Sequence, residues 1–250
     1  MISQLTIGWL ATFITGALLW LFWEKPDPLR EIRYAEEFFK EVGAAVISIF
    51  FTIIIAYAYV DIIKIFIPPS ALELMSQVGL LSLPIWVRVL LAYLIKDFWY
   101  YVTHWWMHRN DYLWKTHLWH HSSQKFWWLV AQRTSFTSRF IFQIGFLAFP
   151  LLAIPPEVMF YLGLLSALHE NWTHSNVKWR SWMGILEWIF VTPRSHGVHH
   201  TQVGAYNMGS YFTIFDRLFG THIDPDSLDA NEQKFGVVDR PITWQDVVGI

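Results

Sequence analysis

Apolar residues are concentrated in four long blocks that polar segments separate. Residues 5–23 and 42–60 contain no charged side chain, and each is close to the ~20 residues that a helix needs to cross a bilayer. A third block covers 84–108. A fourth, over 140–168, contains two adjacent prolines and is short on either side of them, so it predicts a proline-broken hairpin that returns the chain to the side it left. The pattern predicts an all-α integral membrane protein with about four transmembrane helices.

The distribution of Lys and Arg predicts how these helices are oriented. Positive residues fall in the polar segments 24–41, 109–139 and 175–250, whereas the connection 67–83 contains none. Cytoplasmic loops carry an excess of Lys and Arg. We therefore expect the three positive segments on the cytoplasmic side of a bacterial inner membrane or of the endoplasmic reticulum, where the later two form a helical cap.

Composition supports a membrane location and narrows the chemistry. Hydrophobic residues make up 54% of the chain and charged residues 15%, whereas soluble domains have about 25% charged residues. The formal net charge of −2 gives no positive field, so no nucleic-acid partner is expected. The sequence has no Cys, which excludes disulfides, thiolate metal sites and a Cys nucleophile. No Lys or Arg precedes the first apolar block, so we expect a retained helix rather than a cleaved signal.

Histidine spacing indicates a metal site. Most of the eleven histidines fall in one HxxxH and two HxxHH motifs. Residues three and four apart share a helix face, so HxxxH offers two imidazoles to one ion and HxxHH offers three. His174 follows the fourth apolar block and returns to the same side of the membrane. The predicted ligands are His104, His108, His117, His120, His121, His174, His196, His199 and His200.

A hydrogen-bonded structural role is the ordinary interpretation of an isolated histidine, and we apply it to His169 and His222. It does not account for nine convergent histidines, because burying so many imidazoles beside a bilayer without compensation is costly. Nine ligands are too many for one zinc ion but suit two ions with four or five ligands each. Nitrogen ligands suit iron, copper, nickel or zinc. A site that meets lipid C–H bonds needs a redox metal and dioxygen, which favours iron.

Five segments carry a resemblance to a known family, and they are, in order, DFWYYVTHWWMH, LWKTHLWHHSS, NWTHSNV, VTPRSHGVHH and YNMGSYFTIFDRLFGTH. Over residues 90–222 the chain resembles the fatty acid hydroxylase/sterol desaturase superfamily of membrane histidine-rich di-iron oxygenases, and 192–221 is most similar to its alkylglycerol-monooxygenase-like branch. The resemblance implies that the nine histidines hold two irons, which activate O2 to hydroxylate, desaturate or cleave a lipid. The sequence departs from the family pattern at Trp105, where Arg is common, and at Met208, where Tyr is usual; neither departure removes a ligand.

Two further residues are expected close to the metals. Asp97 lies in the third apolar block on one helical stripe with His104 and His108. It either orients a ligating imidazole through the second N–H of that ring or pairs with Lys96. Asn207 resembles an Asn of the family pattern, and it supports a ligand, binds a metal through water or simply forms a turn.

We expect a single membrane oxygenase domain over 1–250, with two transmembrane helices in 1–67, a catalytic core with the histidine motifs in 84–222 and a peripheral tail in 223–250. The expected reaction is O2-dependent hydroxylation of an alkyl chain of a fatty-acyl, ether or sterol-like lipid. Lipid desaturation on the same site and a non-enzymatic membrane protein that binds or transports metal remain alternatives. A separate electron-transfer protein or another external reductant must supply electrons, because the sequence has no nucleotide-binding glycine motif.

Overall fold

The structure is a computed structural model that describes residues 2–203, 205–229, 233–237 and 240–250. This described part of the chain is helical and forms no strand, only three isolated β-bridges. Its α-helices are α1 (Ile2–Leu19), α2 (Tyr34–Phe66), α3 (Pro69–Gln77), α4 (Ile85–Met107), α5 (Asp111–His121), α6 (Phe136–Ile144), α7 (Ala148–Leu151), α8 (Pro156–Thr173), α9 (Ser181–Leu186), α10 (Pro193–His199), α11 (Ile214–Phe219) and α12 (Trp244–Val248).

Two N-terminal helical segments, Thr6–Glu24 and Tyr34–Phe66, are long and apolar enough to cross a membrane. They contain the first two apolar blocks. The first consists of most of α1 and one turn of π-helix. The second, α2, has 33 residues, or about 50 Å at 1.5 Å per residue. It therefore exceeds the ~30 Å hydrocarbon core of a bilayer. Large apolar side chains such as Phe22 and Phe50 face outward, as they do on lipid-facing helices.

The third apolar block forms α4, and the fourth forms a helical hairpin that packs against it. One arm of the hairpin is α6 and α7, joined by a 3-10 turn, and the other arm is α8. Pro155 and Pro156 are the N-cap and first residue of α8, where a missing N–H costs nothing. The prolines therefore start a helix. Arg88 of α4 donates hydrogen bonds to the carbonyl oxygens of Leu152 and Ala153 at the hairpin turn, which fixes the hairpin to α4.

The connection after α5 is buried beneath the N-terminal helices. Its residues Trp127, Trp128, Leu129 and Val130 form one apolar cluster. Gly16 of α1 lies against this cluster, since a Cβ atom at Gly16 would be 2.1 Å from the Trp128 ring. A residue without a side chain is therefore needed for the close approach of α1.

The segment 223–250, expected to be a peripheral tail, contacts the rest of the protein at several places in its described part, including two apolar contacts. Phe235 stacks on Phe126, with ring centroids 5.0 Å apart. Val247 of α12 is buried against Phe51 and Trp119. The end of the chain therefore contributes to the packing of α2 on α5.

One buried ion pair joins α2 to the connection that follows α5. The Glu41 carboxylate, fully buried, accepts two hydrogen bonds of 2.6 Å from Nε and Nη2 of Arg133. Bidentate, charge-assisted pairs of this kind are the strongest hydrogen bonds between side chains. Arg133 also donates to the Ser122 hydroxyl at 2.9 Å. The pair therefore fixes the position of the Arg133 backbone.

Removing this carboxylate is expected to destabilise the protein. Glu41→Ala leaves the Arg133 guanidinium buried without its partner, and such a loss costs about 3–5 kcal/mol in the free energy of unfolding. The control, Glu36→Ala, breaks the exposed pair with Arg33, for which about 0–1 kcal/mol is expected. Denaturant unfolding in detergent micelles measures both. Equal effects in the two variants would contradict this role of Glu41.

Candidate metal centre

The C-terminal ends of four helices, α4, α5, α8 and α10, converge. His104 lies in the last turn of α4, and His108 and His174 are the C-cap residues of α4 and α8. The two HxxHH motifs lie at the ends of α5 and α10. All nine predicted ligands are buried except His108, which is half-buried. Because the C-terminal end of a helix carries a partial negative charge, this convergence favours a cation.

The nine imidazoles form two groups, within each of which one ring nitrogen from every member lies within 4.8 Å of the others. The five-histidine group consists of His104, His108, His117, His121 and His199. The four-histidine group consists of His120, His174, His196 and His200. The two groups are adjacent, since the rings of His121 and His200 stack with centroids 4.4 Å apart.

Each HxxHH motif is divided between the two groups. His117 and His121 belong to the five-histidine group, whereas His120 belongs to the four-histidine group. In the second motif His199 is separated from the other two histidines in the same way. Around a helix, residue i+4 lies about 40° from residue i in one direction, whereas residue i+3 lies about 60° from residue i in the opposite direction. The expectation that HxxHH presents three imidazoles to one ion is therefore corrected to two and one.

The other two histidines lie outside both groups. His169 hydrogen-bonds the Val191 carbonyl oxygen through Nε2 at 3.1 Å and stacks on Tyr211. His222 joins neither group among the described residues. The structure thus gives His169 a hydrogen-bonding and packing role.

Backbone carbonyls fix the tautomer of four histidines, two in each group. A carbonyl oxygen only accepts hydrogen bonds, so the Nδ1 atom that faces it carries the proton and the neutral ring keeps a bare lone pair on Nε2. The Nδ1-to-oxygen distances are 2.7 to 2.9 Å. The pairs are His104 with Met208, His120 with Arg133, His174 with Glu170, and His199 with Tyr206.

The Nε2 atoms of these rings face the Nε2 atoms of neighbouring histidines. His120 and His174 have Nε2 atoms 3.3 Å apart although both protons are on Nδ1, so two lone pairs meet without a proton between them. In all, five Nε2–Nε2 contacts measure 3.0 to 3.3 Å. Two nitrogens bound to one ion at about 2.1 Å, with a 90–109° angle between the bonds, are about 3.0–3.4 Å apart. The donor set therefore fits a metal ion in each group.

Burial keeps these imidazoles neutral. Removal from water lowers the pKa of His120 to about 4, although its hydrogen bond to the Arg133 carbonyl opposes the shift. The same burial lowers the pKa of His199 to about 3. Both values are below the usual 6.5, so neither ring is protonated at neutral pH. The neutral imidazole is the form that binds metals.

The expectation that Asp97 orients an imidazole directly needs correction. Its carboxylate accepts hydrogen bonds of 2.9 Å from the backbone N–H groups of Tyr211 and Phe212. The loop held in this way contains Met208, whose carbonyl oxygen is the partner of His104. Asp97 therefore acts on the ligand through the backbone of this loop. Because a backbone atom makes the contact, Met208 in place of the usual Tyr does not remove it.

Asn207 connects two loops near the ligands. Its φ of 52° is in the left-handed region, which Asn tolerates better than most residues. Its side-chain amide donates to the Ser195 carbonyl oxygen at 3.2 Å and accepts from the N–H of Ile223 at 3.0 Å. Since Ser195 directly precedes His196, Asn207 positions the start of the second HxxHH motif.

The structure also identifies charged residues that the sequence analysis does not single out as functional. Arg133 and its partner Glu41 hold the carbonyl that binds His120. Arg139 and Glu170 line a cavity beside the ligands. Arg133 and Arg139 belong to the positive residues used for the orientation prediction, yet both lie largely inside the protein. Their proximity to apolar blocks is the signal that could have identified them, since charges there are functional candidates.

A cavity of about 250 Å³ lies between α4, α6 and α8 and reaches the ligands. It contacts His117 of the five-histidine group and three members of the four-histidine group. Aromatic side chains, including Phe142 and Phe146, line part of its wall. The cavity therefore gives a bound molecule direct access to both groups.

The helical fold, the two apolar N-terminal helices and the paired histidine groups are typical of a membrane-associated protein with a histidine-rich metal site. A family model described as Fatty acid hydroxylase matches residues 89–221, just over half of the chain. The chain therefore belongs to the fatty acid hydroxylase family.

Curated relatives agree with the family and name two activities. The chain is 34% identical over 146 residues to an ornithine lipid hydroxylase, OlsE, of Rhizobium tropici, in a region covering 57% of this chain and 44% of that protein. It is 34% identical to an alkylglycerol monooxygenase of Xenopus tropicalis over 53% of this chain and 30% of the relative. The corresponding Danio rerio protein is 36% identical over 52% and 29%. The matched regions thus span less than half the length of each relative. No solved structure matches the chain significantly.

A substitution in the Met208 loop tests how this loop supports the metal centre. Asp216 accepts hydrogen bonds from the N–H groups of Met208 and Gly209 at 2.6 and 2.8 Å. A Cβ atom at Gly209 would lie 2.4 Å from the Phe212 carbonyl oxygen, so Gly209→Ala displaces the loop and the carbonyl that holds His104. Loss of such a supporting contact lowers metal affinity by about 10–100-fold. The measurement is bound metal per chain after dialysis against a weak chelator.

The matched control is Gly43→Ala on α2, where an added Cβ atom meets nothing within 4 Å. This variant is expected to keep its full metal content. Full metal content in Gly209→Ala would show that the loop is dispensable for the centre.

Proposed function

We propose that this protein is a membrane monooxygenase that holds two iron ions and inserts one oxygen atom of O2 into a C–H bond of a lipid alkyl chain. The observation that carries the proposal is the pair of imidazole groups whose Nε2 atoms face one another at 3.0 to 3.3 Å beside a cavity. Membership of the fatty acid hydroxylase family supports the reaction class. The relatives, an ornithine lipid hydroxylase and alkylglycerol monooxygenases, support a lipid as the substrate.

In this proposal each histidine group holds one iron. When bound, the two irons supply the reductive activation of O2, which protein side chains cannot perform themselves. The overall reaction converts R–H, O2, two electrons and two protons into R–OH and water. The electrons come from a separate electron-transfer protein or another external reductant, since the sequence has neither Cys ligands for an iron–sulfur cluster nor a nucleotide-binding glycine motif.

The residues of the chain have three tasks in this reaction. Backbone carbonyls such as those of Met208 and Arg133 hold the Nδ1 protons, so the imidazoles keep their orientation. Burial keeps the rings unprotonated and excludes bulk water, which prevents side reactions of the oxidant. The walls of the cavity hold the substrate so that one C–H bond is next to the centre, because proximity and orientation determine which bond reacts.

The proposed arrangement in the membrane has four spanning regions in a single domain over 1–250, with a peripheral tail after residue 222. The regions are α1, α2, α4 and the hairpin of α6 to α8. The ends of α4, α5, α8 and α10 that carry the histidines then lie in a cap on the cytoplasmic side of a bacterial inner membrane or the endoplasmic reticulum. The Lys and Arg residues of 24–41 and of the segment after 174 support this side.

Metal analysis and lipid analysis of the same preparations test the function. We expect about two irons per chain, and lipids that gain the mass of one oxygen only when air and a reductant are present. His120→Ala removes a predicted ligand of the four-histidine group, so it should lower the iron content and abolish the oxygenated product while the protein stays in the membrane. The control is His222→Ala, outside both groups, which should retain both properties.

Three other results would contradict the proposal. Retained turnover in His120→Ala would overturn the site. A product lighter by two hydrogens would identify desaturation instead. Stoichiometric zinc that is coupled to metal transport would identify a non-enzymatic metal protein.

A further inference from the structure

Three charged side chains from three helices line the cavity beside the histidines. They are Lys96 of α4, Arg139 of α6 and Glu170 of α8. Within the described part of the chain, the Arg139 guanidinium and the Glu170 carboxylate form neither a hydrogen bond nor an ion pair, and Nε of Arg139 is buried without a partner. The reaction proposed above gives these charges no role.

Lys96 is also available to a ligand. Its ammonium lies 4.0 Å from the Asp97 carboxylate, which already accepts two hydrogen bonds from the backbone. Its other neighbours are the rings of Tyr100, Phe146 and Tyr211, with centroids 5.1 to 5.9 Å from Nζ. No hydrogen bond to a described residue uses its N–H donors, so these can bind an acidic group in the cavity.

An alkyl chain alone would be a poor occupant of this cavity. Charges that are removed from water without pairing or hydrogen bonds are costly. A hydrocarbon in the cavity would leave Nε of Arg139 without a partner and would cover Glu170, which is exposed beside the cavity, whereas Lys96 keeps Asp97 as a neighbour at 4.0 Å. The lining contains both signs. Glu170 attracts Arg139 and Lys96 electrostatically, but in the described part of the chain no hydrogen bond or close ion pair joins it to either cation. A ligand that satisfies the whole set carries an acidic group for Lys96 and Arg139 and an ammonium for Glu170. Phe142, Phe146 and Ala167 provide the apolar part of the wall.

The charges lie close to the metal ligands along the helices. Glu170 precedes His174 by four residues on α8, about 6 Å at 1.5 Å per residue. Lys96 precedes His104 by eight residues on α4, about 12 Å. When a lipid head group is bound between these charged side chains, only a short part of the lipid therefore separates the head group from the metal centre.

We propose that the cavity contains a subsite for the head group of a zwitterionic lipid, in which Arg139 and Lys96 bind the acidic group and Glu170 binds the ammonium. The reacting carbon then lies near the polar end of the lipid, not at the far end of its chain. The position of the reacting carbon rests on the proposed function, whereas the binding preference does not require turnover.

Binding to the full-length metal-loaded protein in detergent, without oxygen or reductant, tests the subsite. The ligands are dodecylphosphoethanolamine, dodecyl phosphate and dodecanol, which share one chain, and their affinities are compared by calorimetric titration. We expect the zwitterion to bind at least tenfold more tightly than the alcohol. Arg139→Gln should lose the preference for both phosphate compounds over dodecanol. Glu170→Gln should lose only the advantage that the ammonium gives over dodecyl phosphate.

The matched controls are Arg33→Gln and Glu36→Gln, the same substitutions in an exposed ion pair, which should leave all affinities unchanged. Arg139→Lys keeps the positive charge and should keep part of the preference, so it replaces Arg139→Gln if that variant does not fold. Equal affinities for the three ligands in the unmodified protein would overturn the subsite. Competition by phosphoethanolamine without a chain, at the same concentration as the lipid, would overturn its assignment to a lipid.

Failure of the proposed function would give a different result from failure of the subsite. If no lipid gains oxygen while the ligand preference and its loss in Arg139→Gln persist, hydroxylation is refuted and the subsite stands. If lipids are oxygenated but the preference is absent, or the oxygen is located at the far end of the chain by tandem mass spectrometry, the subsite is refuted and hydroxylation stands.

Discussion

The facing lone pairs of buried imidazoles are the interaction on which the rest of the structure depends. In His104, His120, His174 and His199 the Nδ1 proton is donated to a backbone carbonyl, so the bare Nε2 atom has no proton to share. Nε2 atoms nevertheless approach each other to 3.0–3.3 Å in both groups. Between His120 and His174 both protons are on Nδ1, so two lone pairs meet without a proton. A cation between the rings would stabilise this contact, which couples metal binding to the packing of the helix ends.

The fold supplies this arrangement through carboxylates that hold the residues and loops whose carbonyl oxygens orient the imidazoles, rather than the imidazoles themselves. Glu41 of α2 holds Arg133, whose carbonyl oxygen orients His120. Asp97 of α4 holds the loop whose Met208 carbonyl orients His104. Each path runs from a rigid helix to a loop and then to a ring. The ligands are therefore positioned by long helices, although several of the supporting atoms belong to loops.

The cavity changes what substrate the site is expected to accept. An alkyl chain whose reacting position depends on channel depth needs apolar walls throughout, and Phe142 and Phe146 fit that expectation. Arg139 and Glu170 in the same wall do not, because their charges need partners. A lipid that brings its own charged head group resolves the difference, and it makes charge as well as depth a determinant of which carbon reacts.

The sequence by itself determined the all-helical class, the two N-terminal apolar helices, the nine candidate ligands and the family, because these depend on local features: apolar runs of bilayer length, and histidines three and four residues apart. The hairpin was also readable from its two adjacent prolines. Only the tertiary structure decided that His120 belongs to the four-histidine group, whereas His117 and His121 belong to the five-histidine group. It also decided that Asp97 acts through a loop, and that Arg139 and Glu170 share a cavity. Tyr211, a partner of Asp97, lies more than a hundred residues along the chain, and no local period encodes contacts over such separations.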